Sequence, residues 1–469
     1  MLFSNLKEIR EAIEVGNLLL PDLLEHYFSK IEEFKHLNAF NEVFFNSARS
    51  QAISVQHKIK NGSAGKLAGM VIGIKDNISY LDHEVTASSA MLQGYIAPYS
   101  ATVIEKLIAE DAVIIGRLNC DEFAMGGSNE TSFYGPVLNY ADSTRVSGGS
   151  SGGSAVAVQA GMCLASLGTD TGGSVRQPAA FTGLVGFKPT YGRFSRFGVI
   201  AYASSFDQVG TFTKSVEDAA VLYDVLAGFD PKDSTSSSLP LKTIDSSNSP
   251  RKIGVIREMI ESEALDKDIK TAILNKIETL KSLGHQVEWV SFDLLDYLVP
   301  TYYILTMAEA SSNLNRYDGV RYGHRNNSAE DLNELYKLSR AEGFGEEVKR
   351  RILLGTFVLS AGYYDAYYQK AQKVRRLIVN KLDELFKEFD FLLTPVTPTP
   401  PFKLNELNKD PLVMYMEDIF TVLANLGGNP AISLPLGANV DKLPIGYQLL
   451  ANKFDDEFLC TFAKQIQSN

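Results

Sequence analysis

Residues 148–192 read GGSSGGSAVAVQAGMCLASLGTDTGGSVRQPAAFTGLVGFKPTYG. Between Arg145 and Gly192 lie eleven of the chain's 36 glycines and only four charged side chains. So many residues without a Cβ suit close backbone approach, and the scarcity of charge suits an interior. The first glycine loop, Gly148 to Ser154, runs into the apolar segment Ala155 to Gly168, which predicts a buried helix with its N-terminal N–H groups facing the loop. A second loop of small residues, Thr169-Asp170-Thr171-Gly172-Gly173-Ser174, follows.

Outward from this segment, short apolar runs with β-branched residues alternate with helical periodicity. Met70–Ile74, Val113–Ile115, Ile253–Ile256, Gln286–Val290, Phe391–Leu393 and Ala431–Leu434 predict strands. From Pro21 the apolar positions Leu24, Tyr27, Phe28, Ile31 and Phe34 predict a helix with Pro in its first turn, and Thr102–Glu110 predicts another. Glu346 to Phe389 reads as helix broken at Gly355 and Gly362, and Thr394–Pro401 as an extended loop. The fold class expected is α/β, with a large mixed central β-sheet covered by helices on both faces. One domain is expected over 1–469: N-terminal helices about 1–60, a catalytic core about 65–225, a loop-rich seam about 228–250, and the rest of the same domain about 251–467.

The 469 residues carry a formal net charge of −11, 45% hydrophobic and 22% charged residues, and a mean hydropathy of −0.06. That excludes a free-standing basic nucleic-acid binder and a disordered chain. Cys120, Cys163 and Cys460 are far apart and form no CxxC or Cys/His cluster, so neither a disulfide framework nor a metal site is expected. The acidic N-terminal stretch lacks an export signal, and the uncharged run Val146 to Thr169 is too rich in Gly, Ser and Gln for a membrane span. A cytoplasmic location, without membrane contact, is expected.

Three chemistries compete for the glycine segment. A phosphate cradle at the helix N-terminus lacks the Lys-Ser/Thr ending of a P-loop and GxGxxG spacing. Gly148-x-Ser150-x-Gly152 formally matches a nucleophile elbow, but the downstream His285 and His324 sit in no catalytic context. The third reading pairs Ser174 with Lys75, which closes the apolar run Met70–Ile74 at the edge of the sheet. Consecutive small residues aim several N–H groups into one space, as an oxyanion requires. A buried lysine loses its proton more easily than the ordinary one, which is neutral in roughly one molecule in two thousand at pH 7. Against this stands the ordinary reading of a solvated strand end and a plain Gly/Ser loop.

IGIKDN at 72–77, GGSSGGS at 148–154 and LGTDTGGSVRQPAAFTGLVGFKPTYGR at 167–193 together resemble the amidase signature family. The resemblance implies Ser174 as nucleophile, Ser150 as a bridging cis-serine and Lys75 as ultimate base. It places oxyanion donors on the backbone of Thr171, Gly172, Gly173 and Ser174. Asp170 and Arg176 flank the loop and would pin it, unless they are an ordinary surface pair.

Within that family the chain is similar to the glutamine-hydrolysing subunits of tRNA-dependent amidotransferases, through 117–139, 188–210, 307–325, 347–375 and 418–437. For glutamine, a selective pocket needs a cation for the carboxylate and an anion for the ammonium. The resemblance places these at Arg351 and Asp418, with Tyr302 as a further contact; Arg350 is the competing cation, because one helical residue swings a side chain by about 100°. It implies hydrolysis of glutamine to glutamate and ammonia, and delivery of ammonia to a partner subunit that converts Glu-tRNA(Gln) to Gln-tRNA(Gln). A small wrapping subunit would complete a heterotrimer. No cofactor is expected on this chain, ATP and Mg²⁺ serving the assembled complex. The departures Thr169, Val175 and Gly127, each a residue other than the family's common one, are expected to leave the triad chemistry untouched, and Cys120 to serve packing. The competing functions are a free-standing amidase of small amides and a scaffold subunit with a dead site.

Overall fold

The computed structural model describes residues 3–242, 249–407 and 410–467. Its strands are β1 (Phe40–Val43), β2 (Val71–Lys75), β3 (Val113–Leu118), β4 (Ala165–Thr169), β5 (Val185–Lys188), β6 (Val209–Thr213), β7 (Lys252–Ile256), β8 (Gln286–Val290), β9 (Phe391–Pro395), β10 (Ala431–Ala438) and β11 (Pro444–Ala451). All join one sheet in the order β1-β3-β2-β4-β6-β5-β10-β11-β9-β7-β8. The β2–β3, β2–β4, β7–β8 and β7–β9 pairs are parallel, while β4–β6, β5–β6, β5–β10, β10–β11, β9–β11 and β1–β3 are antiparallel. Every residue of β2, β3, β4, β5, β6 and β9 is buried. Successive strand side chains point to opposite faces, so both faces of this sheet are covered, as expected for a mixed α/β architecture.

The six predicted strands are present with slightly different ends. The segment read as a helix over Ala155–Gly168 divides instead: the helix covers Gly152–Gln159, the chain turns at Gly161 (φ +69°), and Ala165–Thr169 becomes β4. Tertiary pairing overrides local preference there, since β4 is held between β2 and β6. The run Val146–Thr169 thus holds a short helix and a strand, and no helix among the described residues is long and apolar enough to cross a membrane. Thr394 and Pro395, read as loop, close β9, and the extended loop starts at Val396. In the seam expected at about 228–250, residues 228–242 carry neither helix nor strand, and 243–248 lie outside the described residues.

Gly355 does not break its helix. Glu346–Leu359 is continuous, and the break falls at Ser360–Tyr363, where Gly362 takes φ +93°; a π-helical turn Tyr364–Gln369 and the helix Lys370–Leu385 follow. Gly355 instead allows close packing against the helix Leu295–Asn313: a methyl group there would lie 2.0 Å from the Met307 carbonyl oxygen. These two helices carry Arg351 and Tyr302, so their spacing positions part of the candidate site. Gly355→Ala should therefore cost about 1–3 kcal/mol through overpacking. The readout is the thermal midpoint, and an unchanged midpoint would show that the contact is not tight.

Candidate active site

Lys75 ends β2, but β2 is interior to the sheet, between β3 and β4, and not at its edge. Its side chain is fully buried, with Nζ 2.8 Å from Ser150 Oγ, 2.8 Å from Ser151 Oγ and 2.9 Å from Thr169 Oγ1. The Ser151 hydroxyl donates to the Thr169 carbonyl at 3.1 Å, so it can only accept from Lys75. Thr169 Oγ1 also accepts from Asn77 Nδ2 at 3.1 Å. The Ser150 contact is free to reverse: an ammonium donates to Ser150, whereas a neutral amine takes its proton. Burial pushes Lys75 down to about 8, against the upward pull of Asp121, Asp170 and Asp207. About one molecule in ten then holds a neutral Lys75 at pH 7. Thr169, expected to stand apart from the triad, is one of the hydroxyls that solvate its base.

The loop bearing Ser150 is clamped from outside. The Gly149–Ser150 peptide bond is cis. Gln177 accepts from Gly149 N–H at 2.9 Å and donates to the Gly127 carbonyl at 2.7 Å. At the following helix start, Gly152 N–H donates to Asn129 Oδ1 at 2.9 Å and Gly153 N–H to the Asn119 carbonyl at 3.0 Å. Donors already spent on protein acceptors cannot cradle a phosphate. The elbow reading fails too: His324 faces Glu342 at 2.7 Å, and His285 Nδ1 accepts from Arg251 N–H at 3.2 Å.

Asp170 and Arg176 are not a surface pair, for both are fully buried. Arg176 places all five guanidinium N–H groups: on both Asp170 oxygens at 3.0 Å, on Asn425 Oδ1 at 2.7 Å, on Gln448 Oε1 at 2.8 Å and on the Thr421 carbonyl at 2.9 Å. Burial alone would raise the Asp170 carboxyl, but the Arg176 guanidinium prevails and holds it down to about 2. Asp170 also accepts Gly173 N–H at 2.9 Å, so Gly173 anchors the loop instead of offering a free donor. Among the described residues nothing accepts from the N–H groups of Thr171, Gly172 or Ser174. Three of the four expected oxyanion donors remain available. Asp207 fixes the loop's other side by accepting from Thr171 Oγ1 at 2.8 Å, and burial pushes it up to about 6. Ser174 is 8% exposed while Lys75 and Ser150 are at 0%, which leaves the expected nucleophile as the triad member open to a substrate.

Tyr302 stands directly over Gly172: a methyl group on that glycine would come within 2.4 Å of the tyrosine hydroxyl. Its neighbour Tyr303 donates to Asp418 Oδ2 at 2.7 Å. Arg351 is 4% exposed, donates to Glu347 Oε1 at 2.8 Å and to Tyr202 Oη at 2.9 Å, and lies 5.3–5.6 Å from the ring centres of Tyr202, Tyr303 and Tyr415. Arg350 is the more exposed of the two arginines; both pair with Glu347 and both border the adjoining cavity, Arg351 being the buried one. Burial pushes Asp418 up to about 6. Tyr303 thus joins the two charges expected to bracket an amino acid. A cavity of about 230 Å³, bordered by Glu122, Gly127, Ser128, Arg350, Arg351 and Tyr415, opens beside Arg351.

Sequence reasoning missed Gln177, Asn425, Gln448, Thr421, Tyr202 and Glu347. The signal that could have found them was polarity inside an apolar run, as at Gln177 within VRQPAAF and Asn425 within VLANLG. Cys120, Cys163 and Cys460 are free and buried, and the described residues hold no cluster of metal-ligating side chains.

A family model described as amidase matches residues 22–460. The chain is 50% identical to the A subunit of glutamyl-tRNA(Gln) amidotransferase from Koribacter versatilis, covering 98% of this chain and 96% of that one. It is 46% identical to the protein of the same name from Staphylococcus epidermidis, over 99% and 97% of the two chains. Among solved structures it is similar to the A subunit of glutamyl-tRNA(Gln) amidotransferase from Thermotoga maritima, with a TM-score of 0.79, 39% identity, and 99% and 92% coverage.

Removing one member of the buried pair leaves the other charge uncompensated. Asp170→Ala should cost about 3–5 kcal/mol, read by denaturant unfolding. A loss under about 1 kcal/mol would show that Arg176 finds its stability elsewhere.

Proposed function

The chain belongs to the amidase family, and on that footing we propose that it is the glutamine-hydrolysing subunit of a tRNA-dependent amidotransferase. The observation that carries the substrate is the buried Arg351 beside Asp418, two opposite charges linked through Tyr303 next to the Gly172 loop. Arg351 already meets Glu347, whereas the Asp418 side chain meets only the neutral Tyr303 hydroxyl among the described residues, so a substrate ammonium supplies the counter-charge that an apolar amide does not.

Ser174 Oγ attacks the side-chain amide carbon of glutamine while its proton passes to Ser150 and the Ser150 proton to neutral Lys75. The tetrahedral oxyanion receives the N–H groups of Thr171, Gly172 and Ser174. Collapse breaks the C–N bond; the proton returns through Ser150 to the nitrogen, which leaves as ammonia. The glutamyl ester on Ser174 is attacked by water, which gives its proton along the same path, and glutamate is released. Arg351 holds the α-carboxylate, Asp418 the ammonium, and Tyr302 closes the pocket over the loop. The ammonia goes to a partner subunit that uses ATP and Mg²⁺ to amidate Glu-tRNA(Gln), with a small third subunit completing the assembly. Within that assembly this chain is a single domain, in the cytosol.

Ser174→Ala should abolish ammonia release from glutamine and leave the thermal midpoint unchanged; retained release overturns the nucleophile. Arg351→Ala should lower kcat/KM for glutamine by about 10–100-fold, the worth of a charged hydrogen bond, while sparing simple amides. Equal losses on propionamide would point to a free amidase. The acid limb of kcat/KM for the free enzyme should rise with pH through about 8, because the base works when Lys75 has lost its proton. A second, lower step near 6 follows Asp418, whose carboxylate is needed for the ammonium, and Asp418→Asn should remove that step alone. A flat profile from about pH 6 to 9 would contradict the Lys75 assignment.

A further inference from the structure

Arg176 and Arg351 are both buried beside the site, but their donors are satisfied differently. Arg176 has every guanidinium N–H on an acceptor. Arg351 has two: Nε donates to Glu347 Oε1 at 2.8 Å and Nη1 to Tyr202 Oη at 2.9 Å. Among the described residues nothing accepts from Nη2 or from the second N–H of Nη1. A buried donor without an acceptor is costly, so this corner of the guanidinium suits an incoming anion. A planar group anchored at two nitrogens cannot turn in its plane, and the rings of Tyr202, Tyr303 and Tyr415, 5.3–5.6 Å from Cζ, restrain its tilt. The anchor on Nε therefore decides which corner is left over.

That anchor is itself held. Glu347 Oε1 also accepts from Tyr415 Oη at 2.9 Å, and Oε2 pairs with Arg350. Glu347 stands in the first turn of the helix Glu346–Leu359, where a carboxylate is favoured, four residues before Arg351. Burial alone would raise its carboxyl, but the Arg351 guanidinium prevails and holds it below the ordinary carboxylate range. The Tyr415 ring stacks on Tyr303 at 4.1 Å between centres, and Tyr303 donates to Asp418. One carboxylate thus orients the cation and steadies the tyrosine pair that reaches the anion.

A carboxylate beside Arg351 has two opposed effects on a substrate carboxylate: it repels it, and it aims the cation that binds it. Arg350 decides between them. Glu347 meets two guanidiniums, so the trio keeps one net positive charge and the repulsion is offset. We propose that Glu347 is a positioning residue for amino-acid selection, fixing Arg351 so that Nη2 receives the α-carboxylate of glutamine. This rests on the amidotransferase reading above. A simple amide has no such carboxylate, so Glu347 bears on glutamine and not on the amide chemistry.

The test is steady-state ammonia release by the chain with its candidate amidotransferase subunits, on glutamine and on propionamide. Wild type is compared with Glu347→Ala, Glu347→Gln, Arg351→Ala and the Glu347→Ala/Arg351→Ala double variant. Glu347→Ala should raise KM for glutamine about tenfold, the worth of one charged hydrogen bond, and leave kcat within about threefold. The inhibition constant of glutamate, which carries the same α-carboxylate, should rise by the same factor, and propionamide kinetics should not move. Glu347→Gln keeps an oxygen for Nε and should return KM to within about threefold of wild type. On the Arg351→Ala background Glu347→Ala should add less than about twofold, because its effect passes through Arg351. An unchanged or lower KM for glutamine in Glu347→Ala overturns the proposal, as does an equal loss on propionamide or full additivity with Arg351→Ala. If the alanine variant does not fold, Glu347→Gln decides alone: a tenfold rise in KM overturns the proposal, and a near-wild-type value with propionamide unmoved upholds it. A wild-type enzyme that releases ammonia from propionamide but not from glutamine fails differently, for it overturns the amidotransferase reading itself.

Discussion

A guanidinium buried without water must find an acceptor for each N–H group, and Arg176 does so through residues more than two hundred positions apart in the chain. Its partners are the Asp170 carboxylate of the nucleophile loop, Thr421 and Asn425 at the helix that precedes β10, and Gln448 in β11. The same carboxylate takes Gly173 N–H. The orientation of the remaining loop N–H groups is therefore set by strands contributed from the far end of the sequence. Rearranging any one partner would strand a charge, which is why this loop has one geometry.

Lys75 shows the opposite treatment of a buried cation. Among the described residues no carboxylate pairs with its ammonium; three hydroxyls do. Hydroxyls solvate a charge less well than a carboxylate, so burial wins and the proton is lightly held. The site thus contains two buried cationic side chains of different character, Lys75 at the end of β2 and Arg176 at the start of the helix Arg176–Thr182. Arg176, matched by a carboxylate, stays charged and structural, while Lys75, matched by hydroxyls, can exchange a proton with Ser150.

Much of this was legible beforehand because the chemistry is local in sequence. Ser150, Ser174, Asp170 and Arg176 stand in or beside short strings of glycine and serine and Lys75 in IGIKDN, and the structure brings Lys75 to Ser150. Arg351 and Arg350 differ by one residue's rotation, and only the structure shows that Arg351 is the one set among tyrosines. The strands β1, β4, β5, β6 and β11 were invisible for a physical reason: β4, β5 and β6 are buried on both faces and interrupted by Gly168, Gly186 and Gly210, so neither alternation nor propensity marks them. Gly355 reads as a helix breaker from propensity alone. Only the nearness of Met307 shows that its missing side chain is used for packing.

The sheet interleaves its ends, with β10 and β11 lying between β5 and β9. During synthesis, Lys75, Ser150 and Ser174 leave the ribosome long before Thr421, Asn425 and Gln448 do. Until those acceptors arrive, the bonds that Arg176 makes to them cannot form. A chain that stops before Thr421 therefore lacks three of the acceptors that seat Arg176 beside the Ser174 loop. The shape of a loop in the middle of the sequence is thus completed by one of the last strands to be made.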